Sequence, residues 1–213
     1  MQPYRDILAG LPTTLALTVL ALLIGTVAGV PLMLARRSSA FVLRAPARAA
    51  IDLFRAIPPI VWLFLIFFGL AESGVQLTPF NAAVAGLGVI SAAYLAEVYR
   101  GGLMAIDDGQ WEAGSALGLS RLDTYRYVLG PQAFRVALPS MATFAIALLK
   151  DTSLAYTIGV NEVLFRANSE AQLASGSSLA ILCFAGALYA MLSIPTALLA
   201  RRLDTSLRGK VAR

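Results

Sequence analysis

A chain of 213 residues that is 58% hydrophobic and only 14% charged, with a mean hydropathy of +0.74, is too apolar for a soluble domain of its size and belongs in a bilayer. It has no histidine and a single cysteine, Cys183. That composition excludes a disulfide framework and a Ser/His or Cys/His nucleophile, and no metal site is expected. The net charge of +5 is scattered over separate segments, which excludes the clustered basic and aromatic face that nucleic-acid binding needs.

Pro12 to Ala35 is apolar over the length of a spanning helix, with Pro12 suited to its first turn. The residues before it are not basic and the apolar run is long, so a first span is expected in place of a cleavable leader. Thr13, Thr14 and Thr18 can bond back to their own helix or face a neighbour, and Gly25 with Gly29 forms a GxxxG pair for close packing. Arg36, Arg37, Arg44, Arg48 and Arg55 then fall in one connection that holds a single acid, Asp52, which reads as the cytoplasmic side. The second apolar run, Ile60 to Leu70, is short and preceded by Pro58 and Pro59. It predicts a short span over about 58–71 with a Pro-broken entry.

Residues 71–78 carry no Lys or Arg and are expected on the opposite face. The third span is predicted over about 79–104, rich in small residues (Gly86, Gly88, Ala92, Ala93) as buried bundle helices are. A polar passage over about 105–135 follows, then a fourth span over about 136–160, a connection with Glu162, Arg166 and Glu170, and a fifth span over about 177–200 with a kink expected at Pro195. The basic tail ends with Arg201, Arg202, Arg208, Lys210 and Arg213. Counting basic residues by side gives an all-α, five-helix polytopic protein, one transmembrane domain over 1–213, with its N-terminus outside and its C-terminus cytoplasmic.

The polar passage organises the rest. Asp107 and Gln110 stand where an N-cap and its reciprocal N3 partner fall, and Gly118 supplies a left-handed stop. Those signals predict a helix of roughly three turns. Ser120 with Asp123 starts a second helix carrying Arg121, Tyr125 and Arg126, with Gly130 and Pro131 expected to end it. Ala113, Gly114 and Ala116 are too small to build a core, yet they allow another protein to approach the backbone closely.

WEAGSALG followed by GPQAFRVALP is similar to the EAA loop of the membrane subunits of ATP-binding-cassette importers. YLAEVYRGG at 94–102 and LLKDTSLAYTIGV at 148–160 resemble the polar amino-acid uptake branch of that family, and the likeness runs from about Leu15 to Arg202. Ile57 and Trp62 replace polar positions of the family pattern, and Ile90, Ala142 and Thr143 stand where amide residues are common. The resemblance implies a type I importer permease fold in a bacterial cytoplasmic (inner) membrane. Gln110, Trp111, Glu112, Ala113, Gly114, Ala116 and Gly118 would form the surface that couples to an ATPase. It also implies two cytoplasmic ATPase subunits that bind ATP and Mg, a second permease copy or a similar chain, an extracytoplasmic solute-binding protein and an amino-acid-like solute. The chain contains no GxxxxGK[ST] and no internal repeat, so it needs no nucleotide of its own and any pumping energy comes from a partner.

A charge at membrane depth costs several kcal/mol and needs a partner or a task. Glu97, Lys150 and Asp151 are the candidates. Lys150 and Asp151 diverge by about 100° on a helix and are not expected to pair. Asp151, Thr152 and Ser153, with Glu97, can offer carboxylate and hydroxyl contacts along a solute pathway; the structural alternative for Glu97 is an i,i+3 pair with Arg100. Two other classes stay open at this level: an intramembrane hydrolase using Ser153, Lys150, Asp151 and Glu97, and a passive channel.

Overall fold

Close packing in a membrane depends on small side chains, because lipid offers apolar groups no reason to leave it. The computed structural model describes residues 2–174 and 178–211, their side chains from Pro3 to Leu198 and at Ala200; no strand occurs among the described residues. Ser177, the expected start of the fifth span, and Arg213 lie outside the described residues, as do the side chains of the rest of the basic tail.

A short α1 (Gln2–Leu8) leads into the long α2 (Leu11–Arg36). The connection read as a basic loop is instead a 16-residue helix, α3 (Phe41–Ala56). It turns by 106° into α4 (Pro59–Phe64), a π-helical turn (Leu65–Gly69) and α5 (Leu70–Glu72). α6 (Pro79–Met104) follows, capped by Thr78, whose hydroxyl accepts the Asn81 N–H at 3.2 Å. After a hairpin comes α9 (Gly130–Asp151), which tightens to a 3-10 segment (Thr152–Ile158) before α10 (Val163–Leu173) and α11 (Ser178–Val211). Four helical stretches are long and apolar enough to cross a membrane, and a fifth is obtained when the bent α3–α5 pair is counted.

α6 is the central rod. Its buried residues are mostly small (Ala82, Ala83, Gly86, Gly88, Ser91, Ala92, Ala93, Ala96, Gly102), and α2 and α9 pack along it. Gly25 and Gly29 of α2 face this surface: a Cβ on Gly25 would fall on Ser91, and one on Gly29 would lie 3.2 Å from the Ala92 carbonyl oxygen. The GxxxG pair thus brings two backbones together. Thr18 donates to the Thr14 carbonyl at 2.8 Å, the back-bond expected of a threonine in an apolar helix. Away from α6, Val19, Leu23, Val27, Met191 and Ile194 are exposed large apolar residues, as lipid-facing positions are.

Candidate functional site

The first helix of the hairpin between α6 and α9 begins one residue later than expected. Asp107 does not cap the helix; its Oδ1 accepts the Gly109 N–H at 2.7 Å, and α7 runs Gly109–Ala116, about two turns in place of three. Gly118 has φ +71°, a left-handed conformation that suits a residue without Cβ, and it ends the helix as read. Ser120 caps the next helix, accepting the Asp123 N–H at 3.1 Å and donating to its carboxylate at 2.5 Å.

That second helix, α8 (Arg121–Asp123), does not stop at Gly130 and Pro131. It passes through a π-helical turn (Thr124–Leu129) directly into α9, so one rod of 38 residues, Arg121–Ile158, carries the hairpin. The wide turn is what admits the proline: the Gly130 N–H bonds back five residues to Tyr125, and a Cβ on Gly130 would sit 2.6 Å from that carbonyl oxygen.

The two sides of α7 differ. Gln110, Trp111 and Gly114 turn inward: Gln132 of α9 donates to Gln110 at 3.0 Å, Trp111 meets Tyr125 edge-on at 4.6 Å, and Gly114 is buried against Thr124. Glu112, Ala113, Ala116 and Gly118 are exposed, beside the exposed apolar side chains of Leu117, Leu122 and Tyr127. Of the seven candidate coupling residues, three pack inward, Gln110 on α9 and Trp111 and Gly114 on the π-helical turn before it, and four lie on the outer side.

The other candidates lie in two separate places. Glu97 sits near the hairpin end of α6 and is the hub of an ion cluster: Arg36 Nε approaches at 3.0 Å, Arg100 Nη2 at 2.9 Å and Arg55 Nη1 at 4.0 Å. Arg36 also reaches Asp52 at 3.0 Å, so α2, α3 and α6 are joined through one acid. Asp151 ends α9, makes no ion pair with Lys150 among the described residues, and is followed by Thr152 and Ser153. Their hydroxyls donate to the Leu149 and Lys150 carbonyls, each at 2.6 Å. Tyr94 stacks on Phe144 at 5.3 Å and fixes the registry of α6 against α9. At 1.5 Å per residue, Glu97 and Asp151 are about 15 Å apart along the bundle, and the fold does not bring them together.

Glu162 is a fully buried acid whose importance emerges only in the folded chain. Its carboxylate accepts the Phe165 N–H at 2.7 Å and the Tyr189 hydroxyl, while the adjacent Val163 N–H donates to Thr14 Oγ1 at 3.3 Å. Together the Tyr189 and Thr14 bonds tie the start of α2 to α10 and α11. Tyr189 lies 27 residues from Glu162 and Thr14 lies 149 residues from Val163, beyond the reach of any local pattern.

A helical bundle with a protruding hairpin is the setting in which the comparisons with known proteins become informative. Residues 21–209 match the family model described as binding-protein-dependent transport system inner membrane component. The chain belongs to this family. As a member it is a permease subunit of an importer and a multi-pass membrane protein. Relatives include the probable amino-acid ABC transporter permease protein YckA of Bacillus subtilis (strain 168), 39% identical over 77% of this permease and 73% of that protein. The octopine transport system permease protein OccM of Rhizobium radiobacter is 36% identical over 97% of this permease and 87% of its own length. Among solved structures, a crystal structure of an amino acid ABC transporter with histidines superposes with a TM-score of 0.81 at 31% identity, covering 93% of this permease and 94% of that chain. These relatives are transport subunits, which sets aside the intramembrane hydrolase and gives the passive channel no support.

Proposed function

We propose that this permease moves a polar amino acid or amino-acid derivative into the cytoplasm by alternating access, as one half of a dimer with itself or a similar chain. Two cytoplasmic ATPase subunits, which bind the ATP and Mg, grip the outer face of the hairpin. An extracytoplasmic binding protein delivers the solute, and the chain lies in a bacterial cytoplasmic membrane with its N-terminus outside and its C-terminus in the cytoplasm. The observation that carries this reading is the two-sided hairpin. Glu112, Ala113, Ala116 and Gly118 are open to a partner, while Gln110, Trp111 and Gly114 are fixed to a continuous rod that enters the membrane. A push on the outer face is delivered to α9 as a rigid-body movement instead of being absorbed in a loose loop.

At the other end of that rod, Asp151, Thr152 and Ser153 are the pathway candidates. A carboxylate at the end of α9 can meet the ammonium of an amino acid, and the Ser153 hydroxyl oxygen, although its proton is engaged, still has a lone pair to accept with, whereas Thr152 is fully buried and its hydroxyl holds the turn at the end of α9. Glu97 has its oxygens occupied by guanidinium groups, so its role is better read as a latch.

The test is uptake by the full-length chain reconstituted with its ATPase subunits and binding protein, using radiolabelled glutamate, glutamine, arginine and histidine in parallel. ATP-dependent accumulation of at least one of them is expected. Asp151→Asn should lower it at least about tenfold, the loss of one charge-assisted contact. Equilibration without ATP would make the protein a channel, and uptake insensitive to Asp151→Asn would remove that residue from the pathway.

A further inference from the structure

α3 has three sides. Ala47 and Ile51 face the bundle; Arg44, Arg48 and Asp52 lie on a second side; Val42, Pro46, Ala49 and Leu53 lie on a third. This third side is apolar and open, with Val42 80% and Leu53 50% exposed. The helix runs nearly perpendicular to the α4–α5 rod that follows it, at 106°. When that rod enters a bilayer, α3 lies along the surface, its third side toward the acyl chains and its arginines at headgroup level.

Between the basic and apolar sides runs an open groove of about 510 Å³, lined by Phe41, Arg44, Ala45, Arg48, Ala49 and Asp52. Among the described residues Arg44 makes no ion pair and Arg48 pairs only with Asp52, at 3.5 Å. Asp52 is itself held by Arg36 at 3.0 Å, so its charge is shared and the groove keeps a positive excess. Phe41, 70% exposed, closes one end with an apolar ring of the kind that interfacial amphipathic helices bury at the headgroup–acyl boundary.

We propose that this groove is a binding site for the headgroup of an anionic phospholipid, with the phosphate between Arg44 and Arg48 and an acyl chain passing over Ala45 and Ala49 toward Val42 and Leu53. The inference rests on the membrane placement of the chain and is independent of the solute and of the ATPase contact. Two guanidinium groups supply paired donors to phosphate oxygens, and the small alanines leave room for the chain beneath them. A lipid held here braces α3, which through Arg36, Asp52, Arg55 and Glu97 is joined to α2 and α6.

The experiment uses the full-length chain in phosphatidylcholine nanodiscs doped with spin-labelled phosphatidylglycerol or spin-labelled phosphatidylcholine. Preferential immobilisation of the anionic label is expected. It should fall about fivefold for each charge removed in Arg44→Gln and Arg48→Gln, and persist in the Arg121→Gln/Arg126→Gln control. Equal immobilisation of both lipids, or an anionic preference unchanged in Arg44→Gln/Arg48→Gln, would overturn the proposal. So would displacement of the label by inorganic phosphate, which would make the groove a site for a soluble anion, or its loss on assembly with the ATPase subunits, which would give this side of α3 to a protein partner.

Discussion

Glu97→Gln is expected to destabilise the permease by roughly 2–3 kcal/mol, a fall of roughly 4–12 °C in the unfolding midpoint of the detergent-solubilised chain. The substitution keeps the shape of the side chain, so the loss measures the charge and the hydrogen bonds it accepts from Arg100 and not packing. Three guanidinium groups from α2, α3 and α6 converge on this carboxylate. Without it Arg36 retains Asp52, but Arg55 and Arg100 are left with no ion partner among the described residues. Removing the acid from a fully buried pair costs roughly 3–5 kcal/mol. The smaller figure applies here because the Glu97 side chain is 13% exposed while those of Arg100 and Arg55 are 31% and 39% exposed, so water solvates part of the orphaned charge. Glu97→Asp should recover part of the loss. A contrary outcome is equally specific: an unchanged midpoint with a transport KM raised about tenfold, the loss of one charged contact, would return Glu97 to the solute pathway.

The second large effect concerns Gly114, where helix propensity and packing pull in opposite directions. Alanine is the better helix former by roughly 1 kcal/mol. Yet a Cβ at this position would lie 2.8 Å from Thr124 Cγ2 and 3.0 Å from its Oγ1. The threonine cannot rotate away, since turning about χ1 exchanges one of these atoms for the other, and its hydroxyl is held on the Ser120 carbonyl at 2.9 Å. Overpacking of this kind costs roughly 1–3 kcal/mol and outweighs the propensity gain. Gly114→Ala should therefore lift α7 off the rod and cut solute-stimulated ATP hydrolysis by up to about a hundredfold, on the scale of a contact misplaced by about 1 Å. Thr124→Ala in the same chain removes both clashing atoms and leaves only the Thr124 Cβ, at an ordinary 3.5 Å. The double variant should couple normally and be more stable than Gly114→Ala. Normal coupling in the single variant, or none in the double, would show that the hairpin transmits nothing through this contact.

What could be read from the sequence was local. The left-handed turn at Gly118, the cap at Ser120 and the proline start of α6 at Pro79 each depend on a few neighbouring residues. Close packing of α2 was legible in Gly25 and Gly29 because membrane helices that touch need small residues at one spacing. The stop expected at Gly130 and Pro131 failed because a π-helical turn supplies a wider hydrogen-bond ring, so a proline that would break an α-helix is absorbed. Asp107 looked like a cap because Asx turns and N-caps use the same side chain two residues apart. The basic connection gave no warning of α3, since charge counting assigns a side of the membrane without assigning a conformation.

The candidate site followed the same division. Residues of the hairpin stand together in sequence and are together in space. The ion cluster joins Arg36, Asp52, Arg55 and Glu97 from three helices, and only the Arg100 partner, three residues along, was visible beforehand. Glu162 meets Tyr189 and lies beside Thr14 only once α2, α10 and α11 have assembled.

Cysteine crosslinking in a Cys183→Ser background reads the division of α7 most directly. In membranes holding the active complex, Ala113→Cys and Ala116→Cys should capture an ATPase subunit, and Gln132→Cys on the inner side should not. Capture from neither outer position, or equal capture from Gln132→Cys, would mean that no partner grips the exposed face of the hairpin.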